Sequence, residues 1–413
     1  MAQAWPVCYT STPFLRDKPN NAPMNLSIFF EPLSEEVFAT LNKPRTLGSY
    51  ISRFVSKFPD WRTADIAILG INETRGRYTD EDNEADHIHH QSAARLVRKK
   101  LYSLNKGAGR CQLVDLGNLR PGITLEDTHL RLKEIVEVLI SHNTIPVIIG
   151  GSHDLEYGQY MGYEHLERVV NMVTVDSSVD MTEDTEAAPN RKQLRQILMH
   201  EPNYLFSLSQ IGYQSYFVEP EVMATFEKMH FESFRVGEVH RSVQEMEPVV
   251  RVADLLTFDI SAIRHQDAPG YEPANPFGLT GEEACQLCWY AGLNDNLTSL
   301  GIYEYNPALD ERKLTAMTVA TMIWYFIEGF YHRKNETDFS GRHFTKYAVA
   351  FADDNPDRMI FYKSRSSEKW WLEVEPLSPE KGSRVVPCSY EDYLQATKGE
   401  VPNRWILTQA RIG

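Results

Sequence analysis

The stretch "NMVTVDSSVD", residues 171 to 180, decides the fold. Val173, Thr174 and Val175 are β-formers in an apolar run, and the run ends abruptly in Asp176 and Asp180 with Ser178 between them. A strand that is apolar on successive residues is buried on both faces, as in a parallel sheet covered by helices. In extended chain, residues two apart point the same way, so Asp176, Ser178 and Asp180 converge beyond the strand end. Two convergent acids beyond a buried strand predict a cation site.

The same pattern recurs along the chain. Apolar runs predict strands at 64–71, 111–117, 144–150, 171–176, 204–212, 233–239, 254–260 and 297–305. Between them lie amphipathic segments such as "EDTHLRLKEIVEVLISH" (126–142), whose apolar residues recur at helical spacing. This alternation predicts a three-layer α/β/α domain with a central, mostly parallel sheet of about eight strands. Sites in such sheets lie beyond the carboxyl ends of the strands. His153 follows "TIPVIIGG" there, Asp176 and Asp180 follow "NMVTV", and Asp259 and Ser261 end "LLTFDIS". The style changes near residue 333, where "RMIFYKSRSSEKWWLEVE" (358–375) reads as a β-hairpin with "SRSSE" as its loop. The expected organisation is an N-terminal extension (1–62), the α/β domain (63–332) and a small β-containing appendage (333–413), with Trp370 or Trp371 largely buried.

The chain has 413 residues and a net charge of -15, which does not suit nucleic acid or an anionic membrane. No apolar run reaches the ~20 residues of a membrane span, and the N-terminus has neither a basic start nor an apolar stretch of signal-peptide length. Five scattered cysteines predict a reducing, cytoplasmic setting. Cys285 and Cys288 form a CxxC within a helical pattern and are read as packing residues. Asp86, His87, His89 and His90 could also bind metal, but a solvated helix start is the better reading of them.

The ordered set "GGSHD" (150–154), "VDSSVD" (175–180), "TFDIS" (257–261), "FGLTGEEA" (277–284) and "YEYNPALD" (303–310) resembles the arginase family of ureohydrolases. That family includes arginase, agmatinase and formimidoylglutamase, and the loop spacing is nearest to the last. The stretch "GRYTDEDNEADHIHHQSAARLVRKKLYSL" (76–104) also looks like the family's substrate-side loop and first long helix. The resemblance implies a hydrolase of linear amidines in which two Mn²⁺ ions share a bridging hydroxide. It places the first metal on His153, Asp176, Asp180 and Asp259. It places the private ligands of the second metal on Ser178 and Ser261, where the family has histidine and aspartate. One Mn²⁺ per chain is therefore expected. Glu283 corresponds to the family's substrate-amidine carboxylate, though a glutamate is favourable at a helix start in any case. "GGSHD" reverses the family's usual Asp-His-Ser order, and no histidine matches its proton relay; His200 is the nearest.

Two functions follow. One is a binding or regulatory module with weak or lost ureohydrolase activity, and the other is an active formimidoylglutamase-type or other linear-amidine hydrolase. A small amidine or amino-acid-like ligand, a homo-oligomer, and a protein partner at the C-terminal segment are expected of either.

Overall fold

In the central strands, alternate residues enter different cores. Ile66 and Ile68 pack into one apolar cluster, while Ala67, Leu69 and Ile71 pack into another. Val173 and Val175 join the first cluster, and Val170 and Met172 join the second. A sheet with apolar side chains on both faces needs helices on both, which gives the three layers. The computed structural model describes residues 25–35, 43–79, 93–166, 168–336, 338–350, 358–376 and 382–412. It divides into two compact units, one spanning Leu26–Arg333 and one containing Lys334–Gly413.

The first unit holds strands β1 (Phe30–Glu31), β2 (Ser52–Arg53), β3 (Ile66–Ile71), β4 (Leu113–Leu119), β5 (Ile145–Ile149), β6 (Val170–Val175), β7 (Leu205–Tyr213), β8 (Glu232–Arg235), β9 (Leu255–Asp259) and β10 (Ser299–Tyr303). The eight longer ones run parallel in the order β4-β3-β5-β10-β9-β6-β7-β8. The short β1 adds to β4 antiparallel, and β2 adds to it parallel. The fold class read from the sequence is thus the one observed.

The helix Leu125–Ser141 shows how the sequence builds a covering layer. Thr124 and Asp127 form a capping box, with Asp127 N donating to Thr124 Oγ1 at 3.0 Å and Thr124 N to Asp127 Oδ2 at 2.9 Å. Leu132, Ile135, Val136 and Leu139 are fully buried and share one face. Each contributes roughly 1.5–3 kcal/mol by leaving water.

One expected strand is half helix. Of residues 233–239, only the first few extend β8; Val236–Arg241 is helical. Glu238 reaches back to accept from Arg235 N at 2.7 Å, and Val239 is buried. The apolar spacing of Val236 and Val239 fits a helix face as well as a strand, and the cap decides for the helix.

The second unit is a four-stranded antiparallel sheet, β11 (Phe344–Ala350), β12 (Arg358–Ser364), β13 (Trp370–Val374) and β14 (Arg384–Cys388), in sequential order, with helices Tyr390–Thr397 and Asn403–Ile412. The β12–β13 hairpin and its serine-rich loop are those read from the sequence. Trp370 and Trp371 are 8% and 6% exposed. Trp370 stacks on Tyr393 at 4.7 Å, and Trp371 meets Phe344 edge-on at 5.1 Å.

Candidate metal centre

The site residues leave four strands that are neighbours in the sheet: β5, β10, β9 and β6. Beyond β5, Gly150 and Gly151 take φ of 90° and 86°, a left-handed turn that costs glycine little. The turn carries His153 over the ends of the neighbouring strands. Asp176 follows β6, Asp259 closes β9, and both stand at one level, since Val175 pairs with Phe258 in the parallel ladder. Asp180 arrives from the loop after β6.

These four side chains converge. His153, Asp176, Asp180 and Asp259 are each at most 4% exposed. His153 Nδ1 lies 3.4 Å from Asp176 Oδ2, 3.3 Å from Asp180 Oδ2 and 3.2 Å from Asp259 Oδ2. One donor atom from each lies within 4.8 Å of all the others. A single imidazole N–H cannot serve three carboxylates at once. Ligand atoms about 2.1 Å from a shared cation, however, lie roughly 3–3.5 Å from their neighbours, which is the spacing here. Burial, with Asp180 and Asp259 alongside, pushes the Asp176 carboxyl well above the usual carboxylate range. Burial disfavours the His153 imidazolium, yet Glu156 and the three aspartates outweigh it and raise His153 well above its ordinary value. Burial raises Asp180 as well, but His153 and Arg191 outweigh it and lower Asp180 to about 2.

The other carboxylate oxygens tell the opposite story. Asp176 Oδ1 accepts from Ser261 Oγ at 2.7 Å and from Ser178 N at 3.1 Å. Asp180 Oδ1 accepts from Ser178 Oγ at 2.8 Å, and Asp259 Oδ1 accepts from Ser261 N at 2.6 Å. Ser177 Oγ in turn donates to Ser261 Oγ at 2.9 Å. The Oδ2 atoms turn toward His153 Nδ1, with Asp180 Oδ2 also held by Gln193 Nε2 at 2.8 Å, while the Oδ1 atoms are closed off by serines and backbone.

The structure adds residues to which the sequence reading gave no role. Gln193 is fully buried; its Nε2 donates to Asp180 Oδ2 at 2.8 Å and lies 3.2 Å from His153 Nδ1. Its Oε1 has no hydrogen-bond partner, an orphaned oxygen at the edge of the cluster. Exchanging the amide ends would turn an oxygen toward a cation. Glu156, also fully buried, accepts from Thr174 Oγ1 at 2.7 Å and stands 3.6 Å from His153 Nε2. Glu304, the residue after β10, accepts from His153 N at 2.7 Å. The strand-end rule reaches Glu304 too, since it lies within "YEYNPALD"; Gln193 lies on a separate short helix, Gln193–Leu198, and no strand pattern points to it.

Other expected site residues lie elsewhere. Glu283 is not a member of the cluster. Its carboxylate closes a capping box, accepting from Thr280 N at 2.8 Å, and pairs with His240 Nδ1 at 2.8 Å. His200 sits in a nest of Tyr157, Tyr160 and Tyr204, with Nδ1 3.0 Å from the Tyr157 hydroxyl. In the reversed "GGSHD" order, Asp154 pairs with His129 Nε2 at 2.6 Å. Cys285 and Cys288 are buried in the helix Gly281–Leu293, where burial pushes the Cys285 thiol up to about 12. Asp86, His87, His89 and His90 lie outside the described residues.

A family model described as "Arginase family" matches residues 64–328. A formimidoylglutamase of Geobacillus sp. (strain WCH70) is 26% identical over 238 residues, covering 54% of this chain and 71% of its own. The formimidoylglutamase of Bacillus subtilis (strain 168) is 22% identical over 230 residues, covering 52% and 72%. Among solved structures, Trypanosoma cruzi formiminoglutamase with Mn²⁺ superposes with a TM-score of 0.60 at 20% identity, covering 70% of this chain and 99% of that one. The agmatine ureohydrolase of Thermoplasma volcanium does so with a TM-score of 0.52 at 18% identity, covering 72% and 98%. Among the described residues, no helix is long and apolar enough to cross a membrane.

Proposed function

We propose that this chain, which belongs to the arginase family, binds one Mn²⁺ per chain and has weak or lost ureohydrolase turnover, acting as a binding or regulatory module. The observation that carries this reading is the division of the three aspartates. Their Oδ2 atoms converge with His153 Nδ1 into one donor set, while Ser178 and Ser261 occupy the Oδ1 side. Three carboxylates and one imidazole are an oxygen-rich set that suits Mn²⁺. A neutral hydroxyl is a poor substitute for an imidazole or a carboxylate as a ligand to a second ion. Such an ion would have to compete with hydrogen bonds already made.

His153, Asp176, Asp180 and Asp259 would hold the ion, which when bound supplies Lewis acidity and acidifies a water. The residues themselves do the preparatory work. Gln193 holds Asp180 through a hydrogen bond, Glu156 sets a negative charge 3.6 Å from His153 Nε2, and the strand ends exclude bulk water.

Metal analysis of protein purified without chelator, with assays on formimidoylglutamate, agmatine and arginine, tests the proposal. One Mn²⁺ and negligible turnover are expected. The double change Ser178→His with Ser261→Asp should restore a second ion. The similarity to formimidoylglutamases favours a second reading, an active amidine hydrolase. Two tightly held ions or rapid turnover in the unaltered chain would establish that reading instead.

A further inference from the structure

Glu304 is a buried acid beside the metal centre, and it is not a ligand in the cluster. It is 2% exposed and takes a φ of 67°, a left-handed conformation that is costly for a side-chain-bearing residue. Its carboxylate is divided as the aspartates are. Oε1 is held internally, by His153 N at 2.7 Å and Asn190 Nδ2 at 3.0 Å. Oε2 faces a guanidinium: Arg77 Nε lies 2.6 Å away, and the Arg77 side chain is only 12% exposed.

The turn that carries Arg77 is pressed into place. A Cβ on Gly76 would come within 1.8 Å of Asp154 Oδ1, so only glycine lets the Arg75–Arg77 turn approach the residue that follows His153. Arg75, the other arginine of the turn, is bound to Glu73 through Nε at 2.9 Å and to Ile123 O through Nη1 at 2.6 Å. The turn also packs against Pro189–Arg191, which supplies Asn190.

We propose that Arg77 is a tethered cation that fills the Glu304 carboxylate seat, so that the centre excludes free amidinium and guanidinium ions. An amidinium carries the same charge and the same kind of N–H donor as the Arg77 head group, and Glu304 Oε2, with Oε1 already held, is the oxygen that can accept one of them. The tethered group has the advantage of effective concentration over any free ion. The inference deepens the reading of weak turnover, because a linear amidine meets an occupied seat. It is read out by cation binding, so its failure is separable from that of the metal count.

The test is titration of full-length protein with acetamidinium chloride, with and without added Mn²⁺, followed by calorimetry and thermal shift against sodium chloride at equal ionic strength. Arg77→Ala should bind acetamidinium at least ~tenfold tighter than the unaltered chain, because the tethered competitor is gone. Arg77→Ala with Glu304→Gln should lose that binding. If Arg77→Ala is unstable, acetamidinium should raise its melting temperature while leaving that of the unaltered chain in place. Equal binding by both chains would overturn the proposal, as would failure of Arg77→Ala to bind or to be stabilised.

Discussion

Around Arg98, every buried charge has a protein partner; around His153, three carboxylates share one nitrogen. Arg98 and Asp115 are both fully buried. Arg98 Nε and Nη2 donate to the two oxygens of Asp115 at 2.7 and 3.0 Å, Nη1 donates to Asn118 Oδ1 at 2.6 Å, and Nη2 also reaches Gly117 O at 2.8 Å. Tyr102 and Gly117 N add further donors to Asp115. A buried ion pair persists when its remaining lone pairs and protons are satisfied, and here they are. The His153 cluster sits at similar depth in the same unit but has three acids and one imidazole. The first cluster is complete as protein and the second sets three acids against one imidazole, so burial alone does not tell two such clusters apart. The balance of charge and donors does.

The largest expected effect breaks the complete cluster. Asp115→Ala leaves Arg98 buried without its carboxylate, and such losses cost about 3–5 kcal/mol. Chemical denaturation should show this loss equally with chelator and with Mn²⁺. A loss that depended on metal would erase the distinction between the clusters.

The next effect has a sign that depends on metal. Asp176→Asn keeps the shape and an oxygen to accept from Ser261 and Ser178, but removes one of three converging charges. In chelated protein the change should be neutral or stabilising. With Mn²⁺ at a hundred times its dissociation constant, the unaltered chain should gain ~2.7 kcal/mol, and Asp176→Asn should lose most of that gain. Thermal melts of both proteins, with EDTA and with Mn²⁺, give the four values. Destabilisation by Asp176→Asn in the chelated state would make this cluster structural like the first.

The fold and the convergence of four polar residues are legible in the sequence for one reason: a parallel sheet writes buried apolar strands continuously and places its polar residues just beyond them. His153, Asp176, Asp180 and Asp259 all obey that rule, and so does Glu304, which stood in the quoted "YEYNPALD" without a role. What was not legible depends on contacts far apart in the chain. Nothing near Arg77 announces Glu304, 227 residues later in the numbering. Gln193 reaches the centre from a helix of six residues. Residues 236–239 read as strand because a short apolar spacing suits both structures until a cap chooses the helix. Glu283 fits a substrate carboxylate by motif, yet the local chemistry of a helix start claims it first.

The smallest effect concerns Gln193, which stands between the two kinds of cluster. Its Nε2 is satisfied by Asp180, as in the complete cluster, and its Oε1 is orphaned, as in the incomplete one. An uncharged amide contributes less to a cation than a carboxylate does, but it holds Asp180 and sits 3.2 Å from His153 Nδ1. Side chains that orient ligands in this way are worth about 10–100-fold in metal affinity. Gln193→Leu fills nearly the same buried volume without either polar end. It should weaken Mn²⁺ by about tenfold, near the lower end of that range because all four ligands remain. Competition against a chromophoric chelator reads that change directly. An unchanged dissociation constant would show that Gln193 only packs there, and that the four ligands set the affinity by themselves.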